Sequence, residues 1–131
     1  MPAPAPRHNV RVTMVGYHHV QLAMPAGGES RAEEFYSGLL GLERVEKPPE
    51  LAARGGCWFR SEGVELHLGV EADFRPARKA HPAFLVTDLD ELERRLADHG
   101  VEVKRDVELH GHRRFHVDDP FGNRLELIAK D

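Results

Sequence analysis

Two histidines and two glutamates recur in step along this chain. His19 precedes Glu65 by 46 residues and His81 precedes Glu126 by 45; the histidines are 62 apart and the glutamates 61. Neutral imidazole and carboxylate suit divalent cations such as Zn, Ni, Mn, Co or Fe. A carboxylate beside such a cation can also take up a proton. Taken singly, a histidine or glutamate is more often a solvated surface group. The matched spacing is what sets these four apart.

Elements that repeat with the same offset must position them. Tyr17-His18-His19-Val20-Gln21-Leu22-Ala23-Met24 and His81-Pro82-Ala83-Phe84-Leu85-Val86-Thr87 each alternate as strands do. A helix pattern follows each. The first starts at Ser30, with Glu33 three residues on as a capping box, carries Ala32, Phe35, Tyr36, Leu39 and Leu40 on one face, and stops at Gly41. The second starts near Asp88, with Glu91 three residues on, carries Leu89, Leu92, Leu96 and Ala97, and stops at Gly100. Three strand-like runs come next in each half, at about 42–47, 57–61 and 64–69, then 101–107, 112–118 and 124–129. Glu62-Gly63 and Asp119-Pro120-Phe121-Gly122-Asn123 read as turns. The expected fold is α+β, with two tandem βαβββ modules forming a curled mixed sheet around a cleft. Residues 1–15 read as a flexible tail and 16–131 as one domain, with modules of about 16–70 and 80–130.

Side chains alternate across a strand. Val20, Leu22 and Met24 form an apolar set for the first helix, so His19 and Gln21 point away from it. The same reasoning turns Glu65 and His67 outward from Val64, Leu66 and Leu68, and Glu126 outward from Leu125 and Leu127. Trp58, Arg60, Arg114 and His116 join this wall if Phe59, Phe115 and Val117 belong to the core. Glu65 and Glu126 are the candidate proton-transfer groups. Gln21, Trp58, Arg60, His67 and Arg114 are candidates for lining a substrate pocket, the arginines for an anionic group and Trp58 for stacking.

Bulk properties narrow the function classes. The chain has 131 residues, 40% hydrophobic and 31% charged, with a net charge of −4. That size fits one domain, and the negative balance argues against a nucleic-acid partner. No apolar run approaches the roughly 20 residues that span a membrane, and the Pro-Ala-rich start lacks the apolar stretch of a secretory signal. One cysteine, Cys57, excludes a disulfide within the chain. It points to a reducing, cytoplasmic setting.

His18-His19-Val20-Gln21-Leu22, Glu34-Phe35-Tyr36 with Leu40-Gly41-Leu42, and Asp119-Pro120-Phe121-Gly122-Asn123-Arg124-Leu125-Glu126-Leu127 resemble the opening strand, first helix and closing motif of the glyoxalase, bleomycin-resistance and dioxygenase superfamily, the vicinal oxygen chelate proteins. The resemblance covers about residues 17–129. It implies a divalent metal held by His19, His81 and Glu126. Glu65 matches the further ligand of glyoxalase I, and His67 is its rival two residues on. The repeat favours Glu65, which matches Glu126, whereas His67 matches Ile128. The resemblance also implies a homodimer with sites near the subunit interface, and a glyoxalase-like metalloenzyme of lyase, isomerase or transferase type on a small oxygen-bearing substrate. The alternative is a metal-independent drug- or metabolite-binding protein of the bleomycin-resistance type. The intact ligand positions favour the metal reading.

Overall fold

The computed structural model describes residues 12–130. Residues 12–19 carry no helix or strand, and Met14, Val15 and Tyr17 are exposed; the rest of the expected tail, residues 1–11, lies outside the described residues. The first half runs through β1 (Val20–Met24), α1 (Glu29–Glu33), a π-helical continuation (Glu34–Leu39), β2 (Glu43–Val45), a single turn α2 (Pro49–Ala52), β3 (Cys57–Ser61) and β4 (Val64–Val70). The second runs through β5 (Ala83–Val86), α3 (Leu89–Asp98), β6 (Lys104–Arg105), β7 (Arg114–Asp118) and β8 (Arg124–Ala129).

The halves form two four-stranded mixed sheets, ordered β1-β4-β3-β2 and β5-β8-β7-β6. In each the opening strand runs parallel to the last, with Val20 opposite Leu66 and Ala83 opposite Glu126, and the other pairs are antiparallel. The same βαβββ order thus appears twice, which is the expected fold class. β1 and β5 each pair with a single neighbour, so the outer edge of each strand is open among the described residues. Open edges are places where another chain can add.

Several local expectations need correction. β2 and β6 are shorter than the expected 42–47 and 101–107. Pro48 and Pro49 end the first run and open α2, since proline suits a helix start and cannot continue a ladder. α1 begins at Glu29, with Gly28 as N-cap and no side-chain cap. Ser30 therefore lies inside the helix and makes no capping box. A Cβ at residue 28 would come within 2.7 Å of the Phe121 ring, so close packing claims the cap position for glycine. At α3 the cap is as expected, with the Asp88 carboxylate accepting the Glu91 N–H at 3.0 Å. Leu89, Leu92 and Leu96 are buried but Ala97 is exposed, so the stripe is narrower than read.

One core joins the halves. Leu22, Met24, Phe59, Leu66 and Leu68 from the first sheet meet Phe115, Val117, Leu125 and Leu127 from the second, with Ala32, Phe35, Tyr36 and the α3 leucines among them. Each such burial contributes about 1.5–3 kcal/mol before entropy is charged against it.

The turn 119–123 locks the halves together. Asp119 Oδ1 accepts the N–H of Phe121 at 2.8 Å and of Asn123 at 2.9 Å. Its Oδ2 accepts the buried Tyr36 hydroxyl at 2.6 Å and Asn123 Nδ2 at 3.0 Å. Asn123 Nδ2 also donates to the Ala23 carbonyl on β1 at 2.9 Å, and its Oδ1 accepts the Ala77 N–H at 3.0 Å. Burial, reinforced by the Asp119 charge, holds the Tyr36 phenol well above its ordinary pKa. This network explains why the closing motif needs Asp and Asn at fixed spacing: it fixes β1 and the approach to β5 relative to β8.

Candidate metal centre

Cross-strand register builds the second wall. His116 on β7 stands opposite Glu126 on β8, both turned away from Phe115, Val117, Leu125 and Leu127. Glu126 is buried. Its Oε1 lies 2.9 Å from His81 Nε2, and its Oε2 accepts from Arg114 Nη1 at 2.9 Å. His116 Nε2 is 3.9 Å from Glu126 Oε1, and its Nδ1 is 3.8 Å from Asp106. One donor atom from each of His81, His116 and Glu126 lies within 4.8 Å of the others, the one such group of three among the described residues.

The electrostatics hold Glu126 and His116 in the protonation states that a metal ion needs. Burial acts to raise the Glu126 carboxyl, but hydrogen bonds from His81 and Arg114 outweigh it and hold the pKa below the usual value, so the carboxylate is charged. Burial lowers the His116 pKa, the Arg124 charge adds to this, and the ring stays a neutral donor. His81 Nδ1 faces the Lys79 carbonyl at 2.8 Å while Nε2 faces the Glu126 carboxylate. Both ring nitrogens thus point at acceptors. A backbone carbonyl on Nδ1–H fixes the ring so that Nε2 can serve a metal, the usual supporting contact behind a ligating histidine. A divalent ion between Nε2 and Oε1 fits this donor set.

The first wall holds a second group. His67 Nε2 lies 2.9 Å from Glu65 Oε2. The His67 ring stacks on Trp58 at 3.9 Å and on His19 at 4.1 Å. Burial lowers the His67 pKa, opposed by the Glu65 hydrogen bond. One face of Trp58 is therefore already covered by an imidazole. Gln21 is exposed opposite His67, and Arg60 is exposed opposite Glu65.

The four sequence-predicted ligands divide within the chain. His81 and Glu126 come together, and His19 and Glu65 stand on the other sheet, around His67. His19 and His81 precede their strands, by one and two residues, instead of lying in the ladder. Arg114 does not point free into a cleft: its guanidinium is held by Glu126, by Asp106 at 3.4 Å and by the Val107 carbonyl at 2.8 Å. His116 was placed on the wall by alternation but given no ligand role. The sequence signal is its place on the same wall; that it faces Glu126 comes from the pairing of β7 with β8.

The chain from residue 16 to 127 matches the model of the Glyoxalase/Bleomycin resistance protein/Dioxygenase superfamily. A protein from Bacillus anthracis assigned to the glyoxalase family, seen in a crystal structure, is 45% identical, with 91% of this chain and 98% of that one covered and a TM-score of 0.86. The fosfomycin resistance protein FosX from Listeria monocytogenes shares the fold at 19% identity and TM-score 0.70, over 91% of this chain and 96% of that one. A glutamine variant of FosX, crystallised with Mn(II) and 1S,2S-dihydroxypropylphosphonic acid, superposes at TM-score 0.74 with 18% identity, over 91% of this chain and 95% of that one. No curated protein matches the sequence. With a family model spanning most of its length and a 45% identical structural relative, the chain belongs to the Glyoxalase/Bleomycin resistance protein/Dioxygenase superfamily.

Proposed function

We propose that this protein is a divalent-metal-dependent enzyme acting on a small oxygen-bearing substrate, of lyase, isomerase or transferase type, and that it works as a homodimer. The observation that carries the reading is His81: its Nδ1 is tied to a carbonyl and its Nε2 is aimed at a charged, buried carboxylate, with His116 close by. His81 and Glu126 would hold the ion, and His19 of the partner subunit would complete the set. Glu65 of the partner subunit, oriented by its own His67, and His116 of the same chain are the two groups suited to a fourth position. The ion would supply positive charge that polarises neighbouring oxygens of the substrate. Glu126, or Glu65 across the dimer, would accept the proton.

Two features support the shared site. Within one chain His19 and Glu65 are not part of the His81 group, and the outer edges of β1 and β5 are open for a second copy. The covered face of Trp58 weakens a reading as a stacking-based drug binder. Mixed dimers test the proposal. His19→Ala and His81→Ala homodimers should each lose tight metal binding, whereas a dimer of one chain of each should regain one intact site. Failure of the mixed dimer to bind metal, with both variants folded and dimeric, would exclude a site shared between chains.

A further inference from the structure

Beside the His116 edge of the metal centre lies a cleft of about 790 Å³, lined among others by Arg78, Lys104, Arg105 and Arg124. A chain of net charge −4 gathers four cations here against two carboxylates in the same lining, Asp106, which pairs with Arg114, and Asp118, which stands opposite Arg124. Two of them are engaged by carboxylates: Lys104 lies 3.6 Å from Asp118 and Arg105 binds Glu93 at 2.5 Å. Arg78 and Arg124 make no salt bridge among the described residues. Arg124 is half-buried on β8, on the same face as Glu126, while Arg78 is exposed. The Arg124 N–H donates to the Ala77 carbonyl at 2.8 Å, and Asn123 Oδ1 accepts the Ala77 N–H. These two bonds pin the loop carrying Arg78 against the start of β8, so both guanidinium-bearing residues line one cleft by construction.

We infer that Arg78 and Arg124 form a receptor for a phosphate-type oxyanion on the substrate, which seats that group in the cleft and the rest of the molecule toward His116 and Glu126. Guanidinium presents a planar fork of donors that matches such an oxyanion, and two guanidinium groups free of salt bridges among the described residues suit a dianion. Arg60 and Arg114, the arginines singled out by strand alternation, do not supply this receptor: Arg114 is consumed by Glu126 and Asp106, and Arg60 is on the other sheet. The inference rests on the metal reading only in calling the bound molecule a substrate.

The test is calorimetric titration of inorganic phosphate into chelator-treated protein, with a separate titration of Mn²⁺. Wild type should bind phosphate saturably and about tenfold more tightly than acetate. Arg78→Glu and Arg124→Gln should each weaken phosphate at least about tenfold while Mn²⁺ affinity stays within about twofold. No saturable phosphate binding, or undiminished binding in the double variant, would overturn the receptor; equal affinity for acetate would overturn the preference for a dianion. Mn²⁺ binding that is absent while phosphate binding persists would remove the metal reading and leave the receptor. Should Arg124→Gln fail to fold by circular dichroism, Arg78→Glu decides alone, because that residue is exposed on a loop.

Discussion

Replacing Asn123 by alanine should cost far more than its position in a turn suggests. The side chain is 1% exposed and makes three hydrogen bonds, to the Ala23 carbonyl, the Ala77 N–H and the Asp119 carboxylate. Two neutral bonds contribute about 1 kcal/mol each and one to a charged acceptor about 1.5–3 kcal/mol, with unpaired groups left behind. Allowing for partial relaxation, the loss is about 3–4 kcal/mol. At this chain length each kcal/mol lowers the melting temperature by about 3–4 °C, so the variant should melt roughly 10–15 °C lower. Tyr36→Phe removes the 2.6 Å bond to the same Asp119 oxygen and should cost about 1.5–3 kcal/mol. Because both changes act on Oδ2, the double variant should lose less than the sum. Calorimetric melts at one protein concentration, without metal, read all of this. A drop of less than about 3 °C for Asn123→Ala would show that the network does not hold the halves together.

Other outcomes follow from single groups. Cys57 is fully buried and burial pushes its thiol up to about 11; iodoacetamide at pH 8 should leave it unmodified in the folded protein and label it in urea, and rapid native labelling would contradict the packing. The His67 and His116 pKa values lie below the ordinary 6.5, so below that pH the unfolded chain binds more protons than the folded one. Stability of the metal-free protein should therefore fall as pH drops from 6.5 toward the folded values, and the slope should shrink in His116→Gln; a flat profile from pH 7 to 5 would refute this. The Trp58–His67 stack should give a coupling of about 0.5–1.5 kcal/mol in a double-mutant cycle with leucine at each position, and zero coupling would mean that the rings merely lie adjacent.

The repeat was legible because duplication left both the apolar alternation and the polar residues in register. β3 and β8 fall where alternation placed them, and Leu22, Leu66, Phe115 and Leu127 reach the core as read. Register across a sheet is not written in one strand, however. That His116 faces Glu126 depends on how β7 pairs with β8, and that Arg114 is consumed by Asp106 depends on a loop after β6. Sequence alone assigns no site role to Arg78, in a short basic cluster with Arg75 and Lys79, or to Arg124, in the closing motif, because one sits on a linker and the other beside a turn, and only the Ala77 hydrogen bonds bring them to one cleft. The Ser30 capping box failed because tertiary packing of Gly28 against Phe121 set the helix start, which local sequence rules do not contain. The closing motif read as a turn is also the joint between halves, a role that needs Tyr36 and Ala23, far away in sequence.

Metal binding at His81 and Glu126 is the claim on which the functional reading stands. Protein purified without chelator, then stripped and titrated with Mn²⁺, Zn²⁺, Ni²⁺ and Co²⁺, tests it most directly when wild type is compared with His81→Ala and Glu126→Gln. Wild type should take up one ion per chain. Each variant should lose at least about a hundredfold in affinity, a loss of about 2.7 kcal/mol, while remaining folded. Equal affinity in wild type and both variants, or no binding by wild type to any of the four ions, would contradict the account.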